Sequence, residues 1–181
     1  MTLTDARQFN ISTLFELESV LRHLSVKQYK KSSSLLSSSV GTHVRHIIEF
    51  YHCFFRGLDY GAIDYDNRPR NQLLEESLEQ AMEYLKNILI LLTGQDMSHY
   101  PETVSVVAVI DSGSLIQTSS SIIRELLFLQ NHTTHHLALI ALMLTQEGVK
   151  LPVNFGVATA TRLHRASTED PSEALTDSQQ P

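Results

Sequence analysis

Apolar positions recur at helical spacing in four stretches of this chain. Leu14, Leu17, Leu21 and Leu24 follow one another by three and four residues, one stripe of a helix. Thr13-Leu14-Phe15-Glu16 has the form of a capping box, so this helix begins there or continues a turn begun near Thr4. Two serine clusters, Ser32-Ser33-Ser34 and Ser37-Ser38-Ser39, read as a loop ending in an N-cap. They precede a second helix from about Val40 to Gly57. Asp64-Tyr65-Asp66-Asn67-Arg68-Pro69-Arg70 is a turn into a third helix, with Leu74, Leu78, Ala81, Leu85, Ile88 and Leu92 as its stripe and Gly94 as its stop. The fourth spans about 119–147, with Ser119, Ser120 and Ser121 as candidate caps. Between the third and fourth helices the period changes. Val104-Ser105-Val106-Val107-Ala108-Val109-Ile110 is β-branched, Asp111-Ser112-Gly113 has turn chemistry, and Leu115-Ile116-Gln117 returns as a partner strand. Beyond Pro152 periodicity is lost, and the polar composition from about residue 166 predicts disorder.

The expected fold is therefore all-α: four long amphipathic helices in an antiparallel bundle, with a small β-hairpin excursion between helices three and four. The connections after helices one and two, about 12–15 residues each, are longer than bundles commonly use and leave the helix order open. Residues 1–152 form the expected domain and 153–181 a C-terminal extension. An apolar fraction of 42% and a charged fraction of 19% exclude wholesale disorder and a fibrous repeat. The net charge of −6, without a Lys/Arg cluster, argues against nucleic acid as a partner. The single cysteine, Cys53, excludes an internal disulfide and a CxxC site. The longest apolar run, Leu137 to Leu144, falls far short of the ~20 residues that span a bilayer. With no signal-like N-terminus, the expectation is a cytoplasmic protein without a membrane partner.

Six of the nine histidines fall in helices two and four: His43, His46, His52, His132, His135 and His136. His132 and His136 lie four residues apart, about 40° around one helix face, the spacing by which one helix offers two imidazoles to one ion. His135 is rotated about 100° from His136 and is less well placed. Leu139, Met143 and Glu125 share the face of the pair and direct it inward, where unpaired polar groups are costly. A metal site needs a third ligand. His43 and His46 stand on one side of helix two with Phe50 and Cys53. Spacing alone leaves two readings: a three-histidine metal site, or core histidines bonded to backbone or to Glu125. Glu125 itself reads as a buried ion-pair partner for Arg45, Arg68 or Arg70, and Glu49 as an outer base or part of a solvated face. Cys53 reads as a small core hydrophobe, and Tyr29 and Tyr65 as packing residues near helix ends. A di-iron carboxylate protein is excluded, because it needs two Glu-x-x-His motifs and Glu49-Phe50-Tyr51-His52 stands alone.

Ser39-Val40-Gly41-Thr42-His43-Val44-Arg45-His46-Ile47 resembles the start of helix two in the DinB/YfiT-like metalloprotein family, and Asn131-His132-Thr133-Thr134-His135-His136 resembles its HxxxH segment in helix four. Tyr65-Asp66-Asn67-Arg68-Pro69-Arg70 and Arg124-Glu125-Leu126-Leu127-Phe128-Leu129 resemble a variant of the same family, so the likeness runs from about residue 10 to 147. The resemblance implies a four-helix bundle of up-down-down-up order and a metal held by His46, His132 and His136. His43 is an extra histidine one turn earlier that leaves the helix-two ligand open, and His135 is a neighbour. The chain has Leu137-Ala138-Leu139 where Arg-Gly-Gln often follows the last family histidine, which separates its substrate from theirs more than its metal. Zinc, nickel, iron or manganese suits three imidazoles. The implied function is that of a metal-dependent transferase or hydrolase, transferring a thiol or hydrolysing a small substrate, with a low-molecular-weight thiol and a second copy of the chain as expected partners. The competing reading is a non-catalytic helical-bundle module for interaction or dimerisation. Imidazole binds metal only when neutral, so an unperturbed value of ~6.5 predicts that the stabilisation an ion gives at pH 7.5 shrinks by pH 5.5.

Overall fold

Helix α1 (Leu3–Leu21) begins earlier than its leucine stripe, because Thr2 and Asp5 form the capping box: Thr2 Oγ1 accepts from the Asp5 amide and the Asp5 carboxylate from the Thr2 amide, at 3.1 and 2.7 Å. Thr13, the cap expected from sequence, is buried mid-helix and donates to the Phe9 carbonyl. The structure, a computed structural model, describes residues 1–34, 36–97, 99–110 and 113–168, most of them helical. A short helix α2 (Val26–Lys30) follows and sets Tyr29 into the core, where its hydroxyl donates to the Leu74 carbonyl at 2.5 Å.

Helix α3 (Val40–Tyr60) starts at a Ser39–Thr42 capping box and runs past Gly57. It stops at Gly61, whose φ of 76° is the left-handed conformation that ends helices. Gly57 is a packing position: a Cβ there would fall 2.6 Å from Ile63. The expected third helix is broken in two, α4 (Leu73–Glu76) and α5 (Leu78–Gly94), because Ser77 turns extended and caps α5.

Strand β1 (Ala62–Asp64), too short to show a period, runs parallel to β2 (Thr103–Val109), which pairs antiparallel with β3 (Leu115–Ser121). The hairpin expected from the β-branched run is therefore present and longer, with Ser119 and Ser120 in the strand and only Ser121 capping helix α6 (Ile122–Gln146). Asp111 and Ser112 of the expected turn lie outside the described residues, as do 169–181. Past Pro152, where the sequence shows no periodicity, a turn buries Phe155 and leads to helix α7 (Thr159–Thr168). Arg162 ties α7 to α1 through two hydrogen bonds to the Glu16 carboxylate, at 2.6 and 2.9 Å.

Helices α1 and α3 each pack against both α5 and α6. The leucine stripe of α1 and the Leu74–Leu92 stripe meet there in one core with Ile47, Phe54, Leu126 and Ile140. Each such side chain contributes about 1.5–3 kcal/mol when fully buried. A polar network crosses this core. Tyr51 donates to Asn10 Oδ1 at 2.6 Å, and Asn10 donates to the carbonyls of Ala6 and Leu126. The Thr133 hydroxyl lies 3.3 Å from that of Tyr51. The network joins α1, α3 and α6. No helix among the described residues is long and apolar enough to cross a membrane.

Candidate metal centre

The Ser39 cap fixes where α3 begins and thus where its histidines point. One residue into the helix, Gly41 lets it approach α4: a Cβ would fall 2.3 Å from the Glu75 carbonyl oxygen. His46 then faces His132 and His136, which α6 presents one turn apart. One ring nitrogen of each histidine lies within 4.8 Å of the other two. Ring centroids are separated by 4.5 Å for His46–His136, 4.6 Å for His132–His136 and 5.0 Å for His46–His132.

An aromatic wall backs the trio. Phe50 stacks on His132 at 4.0 Å and on Tyr65 at 5.1 Å, with Phe128 5.7 Å from His132. This half-burial makes protonation expensive. Burial, with the His132 charge next, lowers His46 to about 3. Burial and His135 lower His132 to about 4, and burial and His46 lower His136 to about 2. All three imidazoles are therefore neutral at ordinary pH, each with one unprotonated ring nitrogen. His132 Nε2 is buried and has no hydrogen-bond partner, a situation that costs about 1–3 kcal/mol when nothing satisfies the group. Three neutral imidazoles with one orphaned nitrogen among them fit a divalent ion of the zinc, nickel, iron or manganese type.

Two carboxylates sit elsewhere than the sequence suggests. Glu49 is not on a solvated face. It is buried, accepts from the Asn71 amide at 2.7 Å, and lies 3.9 Å from both Arg45 Nε and Arg68 Nε. Glu75 takes the other end of Arg45 at 2.7 Å, so the two guanidiniums beside the site are compensated. Arg68 also lies over the Phe50 ring at 4.9 Å and donates to the Tyr65 carbonyl. Glu125 pairs with Arg124 at 3.0 Å, not with Arg45, Arg68 or Arg70, and accepts from Ser120 and Tyr65 at 2.5 and 2.9 Å. Its side chain leans toward the helix N-terminus, as helical side chains do, and so meets the strand that enters α6. Burial and this carboxylate push the Tyr65 phenol up.

His43 lies outside the trio but touches it: its Nδ1 is 2.9 Å from His136 Nδ1 and its Nε2 2.9 Å from Ser38 Oγ. Helix spacing shows that His43 and His46 share a side, yet not that each reaches His136. His135 and His52 are exposed. Cys53 is buried as expected, and burial raises its thiol.

Neither a curated protein nor a solved structure matches the chain. The model of the DinB family matches residues 8–162, from within α1 into α7 and across every residue of the histidine trio. A match over that much of the sequence establishes that the chain belongs to the DinB family.

Proposed function

We propose that this DinB-family protein is a metal-dependent enzyme in which His46, His132 and His136 hold one divalent ion. Its four long helices, each of α1 and α3 packed on both α5 and α6, support the up-down-down-up bundle of that family. The observation that carries the reading is the convergence of three imidazoles from two helices, one with a buried nitrogen that nothing else satisfies. A divalent ion held by three imidazoles keeps open positions and brings a bound water or thiol toward neutral pKa, which serves hydrolysis or thiol transfer.

The protein's own residues prepare the site. Burial keeps the imidazoles unprotonated, and the stack of Tyr65, Phe50 and His132 fixes one ring plane and closes that side to water. The Glu49 and Glu75 carboxylates hold Arg45 and Arg68, so the guanidiniums do not oppose a cation unscreened. The substrate is a small molecule, with a low-molecular-weight thiol as the leading class.

The test is turnover of two substrate panels, thiol plus electrophile and small esters or amides, by protein loaded with zinc, nickel or manganese. Turnover by the loaded wild type and none by His132→Ala supports the reading. No turnover in either panel with any ion leaves a non-catalytic module.

A further inference from the structure

The histidine trio has a fourth histidine attached to it, and the hydrogen bonds around that residue leave only one arrangement compatible with coordination. The side chain of His43 is buried, with both ring nitrogens engaged, one by His136 Nδ1 and the other by Ser38 Oγ, each at 2.9 Å. Two neutral imidazoles bonded Nδ1 to Nδ1 share one proton between those atoms, so one ring donates and the other accepts. If His43 donates, the proton of His136 resides on Nε2, and neither nitrogen of His136 has a free lone pair. If His136 donates, its Nε2 is bare, and His43 carries its own proton on Nε2, where Ser38 Oγ accepts it.

Resting on the metal reading of the site, we infer that His43 is a positioning residue. It accepts the His136 Nδ1 proton, fixes the Nδ1–H tautomer and turns His136 Nε2 toward the ion. Metal-bound imidazoles characteristically donate their second nitrogen to such a partner, which orients the ring and raises its basicity. Here the partner is another imidazole, one turn ahead of His46 on the same helix, so α3 supplies both a ligand and the support for a ligand on α6.

The serine-rich segment completes the relay. The Ser33 amide donates to the Ser38 carbonyl at 2.8 Å, and Ser32 bridges Ser39. Ser37 takes a left-handed φ of 51°, which a residue with a side chain adopts at a cost. The closed loop sets Ser38 Oγ against His43 at the point where α3 is capped. A stretch that sequence shows only as a capped loop thus holds the far end of a three-residue hydrogen-bond chain, Ser38–His43–His136.

Two readouts at pH 7.5 test the inference. Long-range ¹H–¹⁵N NMR of the apo protein reads the His136 tautomer, expected as Nδ1–H in the wild type and mixed or reversed in His43→Ala. Chelator competition reads zinc affinity, expected to fall about 10–100-fold in His43→Ala, the usual cost of losing such a partner. His43→Gln, whose amide oxygen accepts the same bond, recovers most of that loss, and Ser38→Ala loses less than His43→Ala. A simple packing role would move neither the tautomer nor the rescue. An Nε2–H His136 in the wild type, or unchanged zinc affinity in His43→Ala, overturns the inference. If the wild type binds no ion, the metal reading falls, and the tautomer still decides what His43 does.

Discussion

Helices α3 and α6 enclose two polar clusters of opposite character. The Asn10–Tyr51–Thr133 network is closed: Asn10 is fully buried and spends its carbonyl on Tyr51 and its amide on two backbone carbonyls. The histidine trio, whose His132 is the immediate neighbour of Thr133, is open: a buried nitrogen of His132 has no partner. Evolution of a purely structural core would remove or pair such a group, since its desolvation is uncompensated. A closed network holds helices in place, and an open one leaves a nitrogen available to a ligand. The difference turns a family resemblance into a physical argument for a metal centre.

The largest way to separate the two clusters is to remove His132. An ion that binds the folded chain alone adds about 2.7 kcal/mol at a hundredfold excess over Kd. His132→Ala should abolish that increment, seen as identical melting curves with and without zinc, while the fold survives on its leucine stripes. Asn10→Ala should do the reverse. It leaves the Tyr51 hydroxyl and the Leu126 carbonyl short of a partner and costs about 1–3 kcal/mol in chemical denaturation, with the zinc increment intact.

How far these clusters could be read from the sequence differs in the same way. His132 and His136 are legible because four-residue spacing puts them on one helix face, whereas His46 rather than His43 comes from the family resemblance, since spacing puts both on one side of their helix. Asn10, Tyr51 and Thr133 are not, because their partners lie 41, 82 and 116 residues away in the chain. The N-cap before Val40 and the hairpin are legible from local chemistry. Gly57 misled because its role is a close contact with Ile63, and a glycine that stops a helix looks the same in sequence as one that lets a strand approach. Strand β1 and helix α7 carry too few periodic positions to announce themselves. The burial of Glu49 depends on Arg68 arriving from a loop, which no face assignment contains.

A smaller effect sharpens the comparison through pH. Unfolded, each histidine titrates near 6.5. Folded, His132, His46 and His136 stay neutral down to about 4, 3 and 2, chiefly through burial. Between those values the unfolded chain binds protons that the folded chain refuses. Apo stability should therefore be complete above pH ~6.5 and decline as the pH falls toward 4. Ion binding behaves otherwise, because protons compete for the folded site only near its own low values. The zinc-dependent rise in melting temperature should thus persist undiminished at pH 5.5, where ordinary histidines would already hold the ion less well. A rise that vanishes by pH 5.5 would mean that burial does not keep the trio neutral. The smallest effect is expected for His135→Ala, which removes an exposed ring beside the trio: stability within about 0.5 kcal/mol and an unchanged zinc increment.

The most direct measurement is the metal content of the full chain purified without a polyhistidine tag, dialysed against each of zinc, nickel and manganese and then against buffer. The account predicts about one tightly held ion per chain for at least one of these metals, set by three protein ligands, and none for His46→Ala, His132→Ala or His136→Ala. No retained ion in the wild type, or the same content in all three variants, would contradict it.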